Sequence, residues 1–146
     1  LWLYRALHRA GFANQAESTS RNDGLKLIDA YIAATARCAP PQNKLTPKEV
    51  ENCRPYLIEE MELLKNQKVI IVLGLVALKA LWAILPDDVK PSKALPKFKH
   101  GFELKLNDGR VLLGSYHPSQ QNTFTKKLTE PMFDAIFNRA RELIDR

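Results

Sequence analysis

Lys68-Val69-Ile70-Ile71-Val72-Leu73-Gly74, running on as LVALKALWAIL to Leu85, is the stretch whose reading decides the fold. A continuous β-branched run closed by glycine is what a strand buried on both faces of a parallel sheet requires. The apolar segment behind it predicts a helix over Leu75–Leu85, stopped by Pro86. Strand, glycine and helix form half of a right-handed βαβ unit. A Pro- and Lys-rich connection, Pro86 to Lys99, comes next. Phe102–Leu106 and Val111–Tyr116 then flank Asn107-Asp108-Gly109, a hairpin signal. The second of these strands runs straight into His117-Pro118-Ser119. Gln120–Lys127 reads as a polar loop. A last helix follows over about Glu130–Ile144, with Thr129 as N-cap and Pro131 in its first turn.

Toward the other end, residues 1 to 10 read as a short helix closed by Gly11. It has no N-cap and no Met, so it looks entered partway, and earlier residues are expected. Phe12–Asp23 is a polar connection with a turn at Asn22-Asp23-Gly24. Leu25–Ala36 reads as a buried strand ending in small residues. It leads to Cys38, a stiff Ala39-Pro40-Pro41 turn and a polar tip at Gln42-Asn43-Lys44. Thr46-Pro47-Lys48-Glu49 is a capping box with proline at the first helical position. It opens a helix to about Lys65 that carries Cys53 and should kink at Pro55.

Strands alternating with helices predict one α/β layered domain over residues 1–146, with a mostly parallel sheet. Carboxyl ends of parallel strands share one edge, where ligands bind in open α/β sheets. The loops leaving Ala36 (Cys38–Lys44) and Tyr116 (His117–Lys127) are therefore expected to face each other.

With 146 residues, 45% hydrophobic and 26% charged, the composition is that of a soluble globular domain. No apolar run reaches the ~18 residues of a membrane span, and no signal-peptide pattern opens the chain. Two cysteines argue against a disulfide scaffold and fit a reducing, cytoplasmic compartment. A monomer without membrane contact is expected. The net charge of +6 reads either as a lysine-rich solvated surface or as a footprint for nucleic acid. A nucleotide-binding module would need a glycine-rich phosphate loop, whereas Gly74 stands alone.

Four blocks carry a family resemblance. They are Arg37-Cys38-Ala39-Pro40-Pro41-Gln42-Asn43-Lys44, Asn52-Cys53-Arg54-Pro55-Tyr56-Leu57, the VIIVLG strand, and Gly114-Ser115-Tyr116-His117-Pro118-Ser119-Gln120-Gln121-Asn122-Thr123-Phe124. Their order and spacing resemble the uracil-DNA glycosylase superfamily, and within it the family 5 enzymes of bacteria and archaea, which carry a [4Fe–4S] cluster. The resemblance runs from about Trp2 to Leu143. It implies a three-layer α/β/α sandwich around a short parallel sheet. It also implies a monofunctional base-excision-repair hydrolase that flips uracil, and other deaminated bases, out of DNA and removes them with water. Two departures stand out. The family's glycine-rich opening motif, with its stacking aromatic and acidic residue, would lie ahead of Leu1. The uracil-reading asparagine of family 4 corresponds here to Ala34, which points to a wider choice of damaged bases. A non-catalytic nucleic-acid-binding relative or fragment is the competing reading.

The resemblance also implies roles for particular residues. His117, fixed between Tyr116 and Pro118, would donate to the leaving base, where one well-placed donor is worth roughly 3 kcal/mol; the plainer alternative is a histidine bonding backbone at a strand end. Asn43 would position water or the flipped nucleotide, or is simply a turn residue. Cys38 and Cys53 would be two of four cluster ligands, the alternative being free buried thiols. Ser119, Gln120, Gln121, Asn122 and Thr123, with Phe124 behind them, would wedge into the duplex. Arg37, Lys44, Lys126 and Lys127 would sit on phosphates. The bland reading of both sets is a solvated loop.

Overall fold

A computed structural model describes residues 2–17, 23–33, 55, 57–62, 64 and 66–145. In chain order these form α1 (Trp2–Arg9), β1 (Val69–Leu73), α2 (Leu75–Ile84), β2 (Glu103–Lys105), β3 (Val111–Ser115), α3 (Gln120–Phe124) and α4 (Glu130–Ile144). Residues 57–62 are also helical. The strands lie in the order β1-β3-β2. β1 and β3 run parallel over five residues, with Val69 opposite Val111 and Leu73 opposite Ser115. β2 pairs antiparallel with β3, Glu103 opposite Leu113 and Lys105 opposite Val111. The longer pairing is thus the parallel one.

The period-two alternation of side chains sends this short sheet's apolar residues both ways. Val69, Ile71, Leu73, Val111 and Leu113 pack on one face, against Ala6 and Leu7 of α1 and Phe133, Ile136, Phe137 and Ala140 of α4. Ile70, Val72 and Leu112 pack on the other, against Leu78, Leu81 and Trp82 of α2. Helices therefore cover both faces, giving the expected three layers. The α4 positions recur at helical spacing, and the helix starts as its sequence requires. Thr129 Oγ1 accepts from Met132 N–H at 3.4 Å, with proline in the first turn.

α1 is bolted to α4. Arg141 donates from Nε to Ala10 O and from Nη2 to Gly11 O, each at 3.0 Å, satisfying carbonyls at the end of α1. Its guanidinium lies 4.0 Å from the Phe12 ring centroid. Arg5 pairs with Glu130 at 3.0 Å and Arg9 with Asp134 at 2.8 Å. The hairpin forms around Asn107-Asp108-Gly109 as expected. Asn107 adds a tie outside the turn: its Nδ2 donates to Asp88 O at 3.0 Å and Lys90 O at 3.1 Å, holding the connection after α2.

Two expectations need correction. The described part of Leu25–Ala36, residues 25–33, is not a strand; it contributes one bridge, Leu27 to Ala13. Its backbone bonds go to the neighbouring loop instead, Asn14 N–H to Lys26 O at 3.0 Å and Ile28 N–H to Phe12 O at 2.8 Å. Asp29 then enters the left-handed region at φ 55°, which ends any extended run. Ile28, Tyr31 and Ile32 are exposed, not buried. The second correction concerns Gln120–Lys127, which is not all loop: α3 occupies its first half. Ser119 Oγ caps α3 by accepting from Asn122 N–H at 3.2 Å. Ala34, Arg37, Cys38, Asn43, Lys44 and Cys53, with the capping box at Thr46, lie outside the described residues.

Candidate active site

Level strand ends decide what meets at the sheet's carboxyl edge. Because Leu73 pairs with Ser115, Gly74 leaves β1 beside the residues leaving β3, and its N–H donates to Ser115 O at 2.8 Å. A cleft of about 510 Å³ opens there, lined by Leu73–Val76 on one side, by Tyr116, His117 and Asn122 on the other, and by Phe98 and Lys127. The loop bearing His117 therefore faces an open cleft, and the strand exit opposite it is that of β1. The predicted facing of the Cys38–Lys44 loop falls outside the described residues.

Gly74 is there for two reasons. Its backbone sits at φ 93°, ψ 166°, a region that side-chain-bearing residues rarely enter. A Cβ added to it would also stand 3.3 Å from His117 Cβ. The glycine thus leaves room for the imidazole as well as turning the chain into α2.

His117 is held from downstream through its carbonyl, which accepts from Ser119 N–H at 2.8 Å and from Asn122 Nδ2 at 2.9 Å. No described side chain bonds its ring. The residue is exposed at the mouth of the cleft, and partial loss of hydration there pushes its pKa below the ordinary histidine value of 6.5. Near neutral pH it is therefore an uncharged imidazole with one N–H to offer. The linkage has a definite sign. A base whose folded pKa is depressed binds fewer protons folded than unfolded, so stability is full above 6.5 and falls as pH drops below it. Denaturation midpoints taken at roughly pH 8 and pH 5 should therefore fall further for the wild type than for His117→Gln. Equal falls would mean that burial of this ring does not favour its neutral form.

The residues after His117 divide by what their side chains already do. Asn122 is engaged on the His117 carbonyl, Ser119 caps α3, and Thr123 Oγ1 donates to Gln120 O at 3.2 Å. These three shape the segment. Gln120 and Gln121 are exposed, with no side-chain hydrogen bond among the described residues. Phe124 is 79% exposed, the most open large apolar side chain described. Lys126 is exposed at φ 60°. Lys127 is exposed as well, with its Nζ 4.8 Å from the Tyr116 ring centroid. Sequence reasoning missed the place of Gly74 beside His117, the openness of Phe124 and the contact of Lys127 with Tyr116. Only Gly74 had a local signal, a glycine ending the most apolar strand.

Among the described residues, no group of three or more His, Cys, Asp and Glu could hold a metal ion. No described helix is long and apolar enough to cross a membrane.

A sequence profile of the Uracil DNA glycosylase superfamily matches residues 2–141. The chain is 42% identical over 142 residues to a type-5 uracil-DNA glycosylase of Mycobacterium bovis, covering 97% of this chain and 52% of that relative. The type-5 enzyme of Thermus thermophilus is 41% identical over 142 residues, covering 97% and 63%. That of Pyrobaculum aerophilum is 36% identical over 138 residues, covering 94% and 58%. The chain thus spans between half and two thirds of the length of these curated relatives.

Proposed function

Because this chain belongs to the uracil-DNA glycosylase superfamily, we propose that it serves a DNA repair glycosylase that hydrolyses the N-glycosidic bond of uracil and other deaminated bases. The observation that carries the reading is an uncharged His117 held by its backbone beside an open cleft where parallel strands end. A base inside a duplex cannot reach such a cleft, so the nucleotide must swing out of the stack. As the bond from the sugar breaks, its electron pair moves onto the base. The His117 N–H donates to the oxygen where that charge collects, and the Lys127 ammonium above Tyr116 adds a favourable field. Water attacks the sugar carbon, and the proton it gives up passes through solvent to neutralise the departed base anion; Asn43 is assigned to position that water. The test is base release from a uracil-containing oligonucleotide by the intact protein. No free uracil after prolonged incubation would instead support a binding-only relative.

Gln120, Gln121 and Phe124 are assigned to the gap that the departing base leaves. Ser119, Asn122 and Thr123 hold α3 in the shape that presents them. Lys126, with Arg37 and Lys44, is assigned to phosphates, a salt-dependent contribution. Stacking of an aromatic ring on a base is worth ~1–3 kcal/mol. Phe124→Ala and Gln121→Ala should therefore lower excision from duplex on the order of tenfold while sparing single strands. Equal loss on both substrates would remove the wedge role.

Cys38 and Cys53 are assigned as two thiolates of a [4Fe–4S] cluster. Two thiolates do not by themselves complete a four-cysteine set. No catalytic step is routed through the cluster; it would tie the two cysteine-bearing segments together. The intact protein should be brown, with iron in proportion to chain. A colourless, iron-free, fully active protein would end this assignment.

A further inference from the structure

His117 is braced from upstream as well as downstream, and the brace is another histidine. The strand pairing of β3 ends at Ser115, which leaves the Tyr116 N–H without a ladder partner at the residue just before His117. His100 supplies the acceptor: Tyr116 N–H donates to its Nδ1 at 3.1 Å. On the far side of the same ring, Nε2 lies 3.1 Å from Met132 O, in the first turn of α4. An amide only donates and a carbonyl only accepts, so the ring must be neutral with its proton on Nε2. His100 reaches this position because Gly101 turns the chain at φ 84° and donates to Gly114 O at 2.8 Å. The Phe102 carbonyl accepts in turn from Gly114 N–H at 3.0 Å. The imidazole also faces the Tyr116 ring, centroids 5.1 Å apart, on the side chain that walls the cleft.

We propose that His100 is a positioning residue for His117: one tautomer-fixed imidazole sets the Tyr116 amide against α4 and thereby aims the next side chain into the cleft. His100 touches no substrate. It completes the last hydrogen bond of β3, where the strand becomes the site. This rests on the excision reading above for its kinetic consequence, not for its geometry.

The experiment compares His100→Phe and His100→Asn in the intact protein on a uracil-containing duplex oligonucleotide. Phenylalanine fills the space but leaves the partly buried Tyr116 N–H unpaired. Asparagine keeps an acceptor near the Nδ1 position. Both lose the bond to Met132, so both denaturation midpoints should fall, and that of His100→Phe further because it alone leaves the Tyr116 N–H unpaired. The single-turnover rate should fall about tenfold or more in His100→Phe, with KM within about twofold, and return to within about threefold of wild type in His100→Asn. Nitrogen resonances of wild-type His100 should place the ring proton on Nε2. A wild-type rate in His100→Phe, an equally slow His100→Asn, or a proton on Nδ1 would overturn the proposal. Should His100→Phe not fold, a near-wild-type His100→Asn with the proton on Nε2 supports it, and any other pairing overturns it. A wild type that releases no base refutes the function alone. The His117 ring resonances then decide: displaced in His100→Phe and retained in His100→Asn supports positioning, and the same shifts in both overturn it.

Discussion

Replacing His117 by alanine in the intact protein is expected to slow uracil release in a single turnover by at least about a hundredfold, with affinity for the uracil-containing duplex nearly unchanged. The magnitude follows from one donor aimed at an oxygen that gains charge only as the bond breaks. Such a donor contributes little to holding the ground state, so the loss appears in the rate and not in binding. The variant should fold, because His117 is anchored through its carbonyl and its ring bonds no described side chain. Rapid-quench release of base, paired with anisotropy of the labelled duplex, separates the two quantities. Normal release would take His117 out of the reaction. Loss of both release and binding would make it a substrate contact instead.

The largest effect on stability is expected from Gly114→Ala. A Cβ at this position would fall inside the Phe102 ring, against its Cε1 and Cδ1. The ring cannot simply step aside, because it belongs to the cluster shared with Val72, Leu78, Leu106 and Leu112. Overpacking of this kind costs about 3 kcal/mol, a large part of a small domain's stability. The backbones of the two residues are bonded as well, so relief by moving Phe102 would pull on Gly101 and on the His100 brace. Urea denaturation should show the midpoint collapse. The double variant, Gly114→Ala with Phe102→Ala, should be less destabilised than the sum of the two single variants, because removing the ring removes the clash. Simple additivity would mean that the clash is not with this ring.

Sequence patterns identified β1, α2, the hairpin and α4 because each has a strong local signal that its long-range packing also satisfies. VIIVL is apolar on both faces and is covered on both faces. Thr129 and Pro131 announce the start of α4, and the helix begins there. Residues 25–33 looked equally strand-like, but a strand needs a partner, and composition does not supply one. Asp29, a short polar residue able to take the left-handed conformation, was the local warning. α3 lasts five residues and buries nothing, so no hydrophobic period could reveal it. The site divides in the same way. His117 could be read from its neighbours Tyr116 and Pro118. The His100 brace could not, because it joins positions 16 and 32 residues apart whose backbone atoms carry no sequence mark.

The pairing of Leu73 with Ser115 sets a limit on how this molecule can vary. Gly74 meets His117 only because the two parallel strands finish in step. The same alternation that fills both layers makes residue number in β3 a fixed quantity. One residue added before Leu112 would swing Leu112 and Leu113 to the wrong sides and push the imidazole outward by a strand rise, ~3.3 Å. Length changes can accumulate at the hairpin tip or in the connection after α2 without reaching the chemistry. Between Val111 and His117 the chain behaves as a ruler, and drift there can change letters but not their count.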